Sequence, residues 1–112
     1  MRKAAMAYPE AREDHPWGES AFKVRGKTFL FMSQWEGRLN FTFKLPRSFE
    51  FALEYPFATP AGYGLARARW IYARFEPASD PPLDVLTAWL DESFRAVAPK
   101  RLSATLDAAA PD

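Results

Sequence analysis

The chain has one histidine, His15, and no cysteine, so little side-chain chemistry is open to it. A nucleophilic relay needs a base, held by a third group, beside a serine or cysteine. No serine here sits in a glycine-flanked elbow, and His15 lies in a proline-flanked stretch that reads as loop. His15 is therefore expected to be structural or simply at the surface. One histidine without thiolates cannot build a typical zinc site. Asp91 and Glu92 are neighbours on a predicted helix, where adjacent side chains diverge by about 100° and do not converge on an ion. They are expected on a solvated face. The glycines at 18, 26, 37, 62 and 64 are scattered, and each has a turn to account for it, so no phosphate-cradling loop is present. No catalytic residue, metal ligand or cofactor is expected. The residues point to a binding protein rather than an enzyme.

The cations remain. The net charge is +1, but residues 20–75 hold nine Lys/Arg against three Glu, whereas residues 76–112 hold three basic against seven acidic side chains. A basic middle between acidic ends can mark an anionic partner. It can also mean only that an acidic helix balances a basic sheet across solvent. Lys23, Arg25 and Lys27 cluster at one predicted hairpin, and Arg67, Arg69 and Arg74 lie on a second. Cations on strand hairpins can position a domain on phosphates, and rings beside them can stack or wedge. Trp70 and Tyr72 alternate onto the same strand face as Arg74, and Trp17 is expected to cover one end of the core. The alternative is that basic side chains decorate strand faces and discourage edge pairing.

These residues must be positioned by a small set of elements. Residues 1–8 read as a clipped helix ended by Pro9, and residues 9–19 as a loop. Residues 20–24 and 27–34 read as strands joined by Arg25-Gly26. After the turn at Glu36-Gly37, residues 38–44 alternate cleanly, with Leu39, Phe41 and Phe43 inward and Arg38, Asn40, Thr42 and Lys44 outward. Residues 46–54 read as a helix opened by Pro46. Residues 55–62 are loop, 63–65 a short strand and 69–75 a strand, which makes the second hairpin. Residues 82–98 carry an apolar stripe of Leu83, Leu86, Leu90, Phe94 and Val97, with Asp80 as the expected N-cap. Past Lys100 the Ala-rich chain reads as a last helical turn that frays after Leu106. The fold class is α+β, a two-layer antiparallel sheet with helices on one face, in the order α-β3-α-β2-α. Residues 1–102 form one domain, and 103–112 are expected to be a partly disordered tail.

Composition agrees with one domain: 112 residues leave no room for two. Eighteen aromatic rings, as ten Phe, four Tyr and four Trp, can close a core without disulfides and leave rings over. Trp35, Tyr55, Phe57 and Trp89 have no obvious core assignment and could serve a protein partner. The N-terminus lacks the apolar length of a signal peptide, and no apolar run approaches the ~18 residues of a membrane span. A cytoplasmic location and no membrane partner are expected.

His15-Pro16-Trp17-Gly18 followed by Phe22-Lys23-Val24-Arg25-Gly26-Lys27-Thr28-Phe29 resembles the opening of the MmcQ/YjbR family. Thr59-Pro60-Ala61-Gly62-Tyr63-Gly64-Leu65, Trp70-Ile71-Tyr72-Ala73-Arg74-Phe75 and Asp91-Glu92-Ser93-Phe94 continue the likeness in order, out to about residue 102. Relatives usually carry Ser-Tyr where this chain has Ser93-Phe94, and its first helix is shorter than theirs. The resemblance implies a secretion-chaperone-like α+β fold and a DNA-binding role through a "double-wing" pair of hairpins, with no catalytic residues. Three roles follow as expectations: nucleic acid held by phosphate contacts with weak sequence specificity, a protein partner, or a small ligand between the sheet and the helix at 82–98, near Trp17 and Trp70.

Overall fold

The structure, a computed structural model, describes residues 1–15 and 19–108. Six strands form one antiparallel sheet: β1 (Arg12–Asp14), β2 (Ser20–Val24), β3 (Lys27–Trp35), β4 (Arg38–Lys44), β5 (Ala58–Pro60) and β6 (Trp70–Phe75), in the spatial order β1-β2-β3-β4-β6-β5. Four helices accompany it: α1 (Arg2–Met6), α2 (Phe49–Ala52), α3 (Leu83–Val97) and α4 (Lys100–Ala108). The sheet class follows the sequence; the element order does not. An additional edge strand precedes the meander, β6 pairs with residues 58–60, and a fourth helix closes the chain.

The meander forms because both of its turns suit tight hairpins. Arg25 and Gly26 have φ of 51° and 79°, and Glu36 and Gly37 have 50° and 79°. Two consecutive left-handed residues make the turn whose twist matches antiparallel strands. In β4 the alternation holds: Phe41 and Phe43 are buried and their neighbours partly exposed.

Phe22, Leu30, Phe43 and Ile71 stand abreast across four strands on the face that α3 covers. Trp89 meets Phe43 at 5.9 Å between ring centroids, and Phe94 meets Phe29 at 5.1 Å. Phe29 reaches this face because the β2–β3 register skips it: Phe22 pairs with Leu30, and Lys23 with Thr28. Such a bulge turns two consecutive side chains toward one side, and Phe29 and Leu30 are both fully buried. On the other side of β3 the ladder to β4 ends at the Leu30–Phe43 pair, one residue short of Phe29 and Lys44. There the buried Ser93 hydroxyl donates to the Phe29 carbonyl at 2.5 Å and accepts from the Lys44 N–H at 2.8 Å. One side chain of α3 thus satisfies two backbone groups just past the end of the β3–β4 ladder.

Several expectations need correction. Residues 9–19 contain β1, whose Arg12-Glu13-Asp14 has no apolar residue to announce a strand. The helix expected over 46–54 is a single turn. Glu92 of α3 accepts the N–H groups of Arg47 (2.9 Å) and Ser48 (3.0 Å) together with the Ser48 hydroxyl (2.6 Å), which sets the helix start after Ser48 rather than at Pro46. Tyr63-Gly64 is no strand, because both residues are left-handed, with φ of 57° and 79°, and Leu65–Ala68 follow as a 3-10 turn. Asp80 does not cap α3; Pro82 occupies that place, without a side-chain cap. On α3, Leu83 is 61% exposed, while Trp89 and Ser93 join Leu86, Leu90 and Phe94 in the core, so the buried stripe is rotated from the expected one. The chain past Lys100 is helical through Ala108, with Leu102 buried, Leu106 against the core, and Arg95 bonded to both Asp91 and Asp107. Of the four rings left without a core role, Trp89, Phe57 and Tyr55 form one aromatic cluster; Trp35 alone stands 71% exposed.

Candidate nucleic-acid interface

The register decides which cations can act together. Val24 pairs with Lys27, Lys44 with Trp70, and Pro60 with Ile71. The β2–β3 turn, the end of β4 and the β5–β6 connection over residues 61–69 therefore share one end of the sheet. Neighbouring strands lie about 4.8 Å apart, so the two turn regions are separated by little more than β4. Arg74 is different. It stands opposite Asn40, four residues along β6 from Trp70, which is about 13 Å toward the other end of the sheet.

Most of the six sequence-selected cations are already partnered. Lys23 meets Asp14 at 3.0 Å, Arg25 grips Glu10 with bonds of 2.6 and 2.9 Å, and Arg74 meets Glu76 at 3.2 Å. Arg69 bonds Glu50 and the Pro46 carbonyl and lies 5.0 Å over the Phe49 ring. The carboxyls register these contacts. Glu10 is held below the ordinary carboxylate range, foremost by its hydrogen bond from Arg25. Glu76 is lowered foremost by Arg38, and Glu50 by its own backbone N–H and then by Arg69. None of these acids belongs to α3, so a balancing acidic helix is not the reason for the neutralisation. Lys27, Arg47 and Arg67 are exposed and Lys44 is half-buried, and none of the four makes an ion pair among the described residues. These four side chains stand at the shared end.

Sequence reasoning missed Lys44 and Arg47 because it looked for cations on hairpins. They flank Pro46 where β4 ends, and only the register shows that this segment lies between the two turns. Trp70 is 8% exposed, with its ring 5.7 Å from that of Phe31. Since Ile71 points at α3, Trp70 points to the helix-free face, so it does not border the space between the sheet and α3 where a ligand was expected. Tyr72 shares that helix-free face and donates to Asn40 Oδ1 at 2.6 Å. Trp17 lies outside the described residues.

Comparison with known proteins adds a family. The YjbR family model matches residues 6–96. This chain belongs to the YjbR family. The crystal structure of the Deinococcus radiodurans protein DR2400, described as a DUF419 domain, superposes on this YjbR domain with a TM-score of 0.69 at 21% identity, covering 86% of this chain and 74% of that one. At that identity the likeness shows the fold. No curated protein matches the chain.

The family's late motif has a structural use in this YjbR domain. Asp91 accepts from Tyr8 at 2.9 Å and from Arg95 at 2.7 Å, Glu92 fastens the start of α2, Ser93 joins β3 to β4, and Phe94 stacks on Tyr8 at 4.5 Å. Asp91 and Glu92 diverge as expected, but each is engaged across the fold rather than merely solvated. Burial, then the bond to Asp91, push the Tyr8 hydroxyl well above its usual range. His15 is also less isolated than its sequence setting implied: Nδ1 is 3.4 Å from Ser20 Oγ, and Nε2 is 3.5 Å from Glu13. The Ser20 hydroxyl donates to Glu13 at 2.8 Å, and Arg2 bonds the same carboxylate at 3.1 Å. The serine proton is thus directed at the carboxylate, while the contact to His15 is long for a hydrogen bond. The cluster ties α1 to β1 and β2. Among the described residues no group of three His, Cys, Asp or Glu gathers as a metal site, and no helix is long and apolar enough to cross a membrane.

Proposed function

We propose that this YjbR domain is a cytoplasmic binding module, without catalysis of its own, that holds nucleic acid at the turn-bearing end of its sheet. Lys27, Lys44, Arg47 and Arg67 supply the phosphate contacts. The observation that carries this reading is that these four cations, drawn from both turn regions and the strand end between them, share one end and that their side chains form no ion pair among the described residues. Lys23, Arg25, Arg69 and Arg74 contribute less, because each would first have to give up an acid. An exposed ion pair is worth only about 0–1 kcal/mol, so such exchange is possible, but it leaves an uncompensated carboxylate beside the phosphates. Contacts to phosphate alone carry no sequence information, so binding is weakly specific.

Fluorescence anisotropy with a labelled duplex at low salt tests the reading. Wild type binds, and the fourfold change Lys27→Gln, Lys44→Gln, Arg47→Gln, Arg67→Gln abolishes binding while leaving the circular dichroism spectrum intact. Absence of wild-type binding, or full binding by the variant, rejects it. A protein partner is the second reading, favoured by Phe51 and Trp35, which are 73% and 71% exposed. Light scattering that shows self-association reversed by Trp35→Ala or Phe51→Ala would support it.

A further inference from the structure

The helix-free face of the sheet carries a cleft that neither the fold nor the phosphate contacts use. Ala61, Tyr63 and Leu65 border it, and Phe31, Thr42 and Tyr72 line it from the sheet, with Glu19 at another side; its volume is about 260 Å³. That is below the usual range for drug-sized ligands, about 300–1,000 Å³, and suits a single planar ring system. Phe31 rests against the nearly buried Trp70, which gives the cleft an aromatic wall. Tyr63 is fully exposed on a left-handed backbone, with φ of 57°. A bulky residue in that region is strained, and nothing in the described fold uses the ring held there. Glu19 makes no ion pair among the described residues, so its carboxylate is available to accept hydrogen bonds. Lys44 lies two residues along β4 from Thr42 on the same face, and Arg67 belongs to the same connection as Tyr63.

We propose that this cleft receives one unpaired base of a single-stranded nucleic acid, with Tyr63 and Phe31 as stacking surfaces and Glu19 as acceptor for an exocyclic amino group. Lys44 and Arg67 hold the adjoining phosphates. The inference rests on the nucleic-acid reading above and narrows its substrate. Bases within a duplex keep their faces stacked and cannot enter such a cleft, whereas single strands present them to aromatic side chains. A carboxylate that accepts from an amino group favours cytosine and adenine over thymine, which has no exocyclic amine.

The test is anisotropy at one low salt concentration with short labelled oligo-dC, oligo-dA and oligo-dT strands and a duplex of equal length. Wild type binds oligo-dC and oligo-dA more tightly than oligo-dT. Tyr63→Ala weakens the single strands about 5- to 150-fold, the loss of one stacked base, and leaves the duplex unchanged; Tyr63→Phe restores the single strands. Glu19→Gln narrows the gap between oligo-dC and oligo-dT. If Tyr63→Ala leaves single-strand affinity unchanged while the fourfold cation variant abolishes it, the base cleft is wrong and the phosphate surface stands. If wild type binds neither single strands nor duplex, the nucleic-acid reading fails and the cleft proposal with it.

Discussion

Replacing Ser93 with alanine removes the side chain that joins Phe29 of β3 to Lys44 of β4. Two backbone groups then lose their partners, the carbonyl of fully buried Phe29 and the N–H of half-buried Lys44. A buried polar group left unpaired costs about 1–3 kcal/mol. Phe29 is shut off from water and belongs at the upper part of that range; Lys44 lies at a strand end that water can approach, and belongs near the bottom. Together they give a loss of about 3–4 kcal/mol, against a total stability on the order of 5–15 kcal/mol for such a domain. With a urea m-value of about 1.5 kcal/mol/M, the midpoint falls by about 2 M while m is unchanged. The control is Thr87→Ala, whose hydroxyl bonds the Leu83 carbonyl on an exposed part of the same helix; it shifts stability by under about 0.5 kcal/mol. Urea unfolding followed by tryptophan fluorescence and circular dichroism measures both. Equal, small shifts for the two variants would refute the claim that Ser93 satisfies two backbone groups past the end of the ladder.

Other tests address different parts of the fold. The Glu13 carboxyl is held below its ordinary value, first by the Ser20 hydroxyl and also by Arg2. A depressed folded-state value means its stabilisation is present above the unfolded value near 4.5 and is lost as pH falls through the lower folded one. Glu13→Gln should therefore flatten the acid limb of a stability-versus-pH curve below that value while leaving the neutral limb's slope unchanged; an acid limb of unaltered steepness would speak against it. Gly26→Ala should cost about 1 kcal/mol through backbone strain alone, since a methyl group there meets nothing within 4 Å. Gly37→Ala should cost more, because its methyl lies 3.1 Å from Pro77 Cγ; thermal melts that place the two variants level would count against this.

How much the sequence disclosed depended on whether one local period governed each element. β4 is readable because one face packs on α3 and the other does not, so Leu39, Phe41 and Phe43 alternate with polar neighbours. β1 is not, because Arg12, Glu13 and Asp14 lie at an edge with no apolar side chain to mark a period. β5 was hidden by Pro60, which a strand tolerates only at an edge such as this one. Ser93 could be noticed as part of a family motif, but its purpose depends on where the β3–β4 ladder ends, and no period-2 pattern foretells that end. The candidate interface divided the same way. The excess of cations in residues 20–75 is a property of composition, whereas their pairing is a property of the fold. Glu10, Asp14, Glu50 and Glu76 come from segments read as loop, helix and linker, and each lands beside a cation chosen from the hairpins. Lys44 and Arg47 became candidates only once the register set the end of β4 between the two turns.

The most direct measurement is the salt dependence of duplex affinity for wild type and two variants. Four phosphate contacts give a slope of log K against log salt near −3.6, or on the order of 100-fold weaker binding between 50 and 200 mM. The account predicts that slope for wild type. It predicts a slope near zero for the fourfold change at Lys27, Lys44, Arg47 and Arg67, and a slope altered by less than about one contact, roughly 0.9, for the double change Arg25→Gln, Arg74→Gln. A slope that survives the fourfold change, or that collapses with the double change instead, contradicts it.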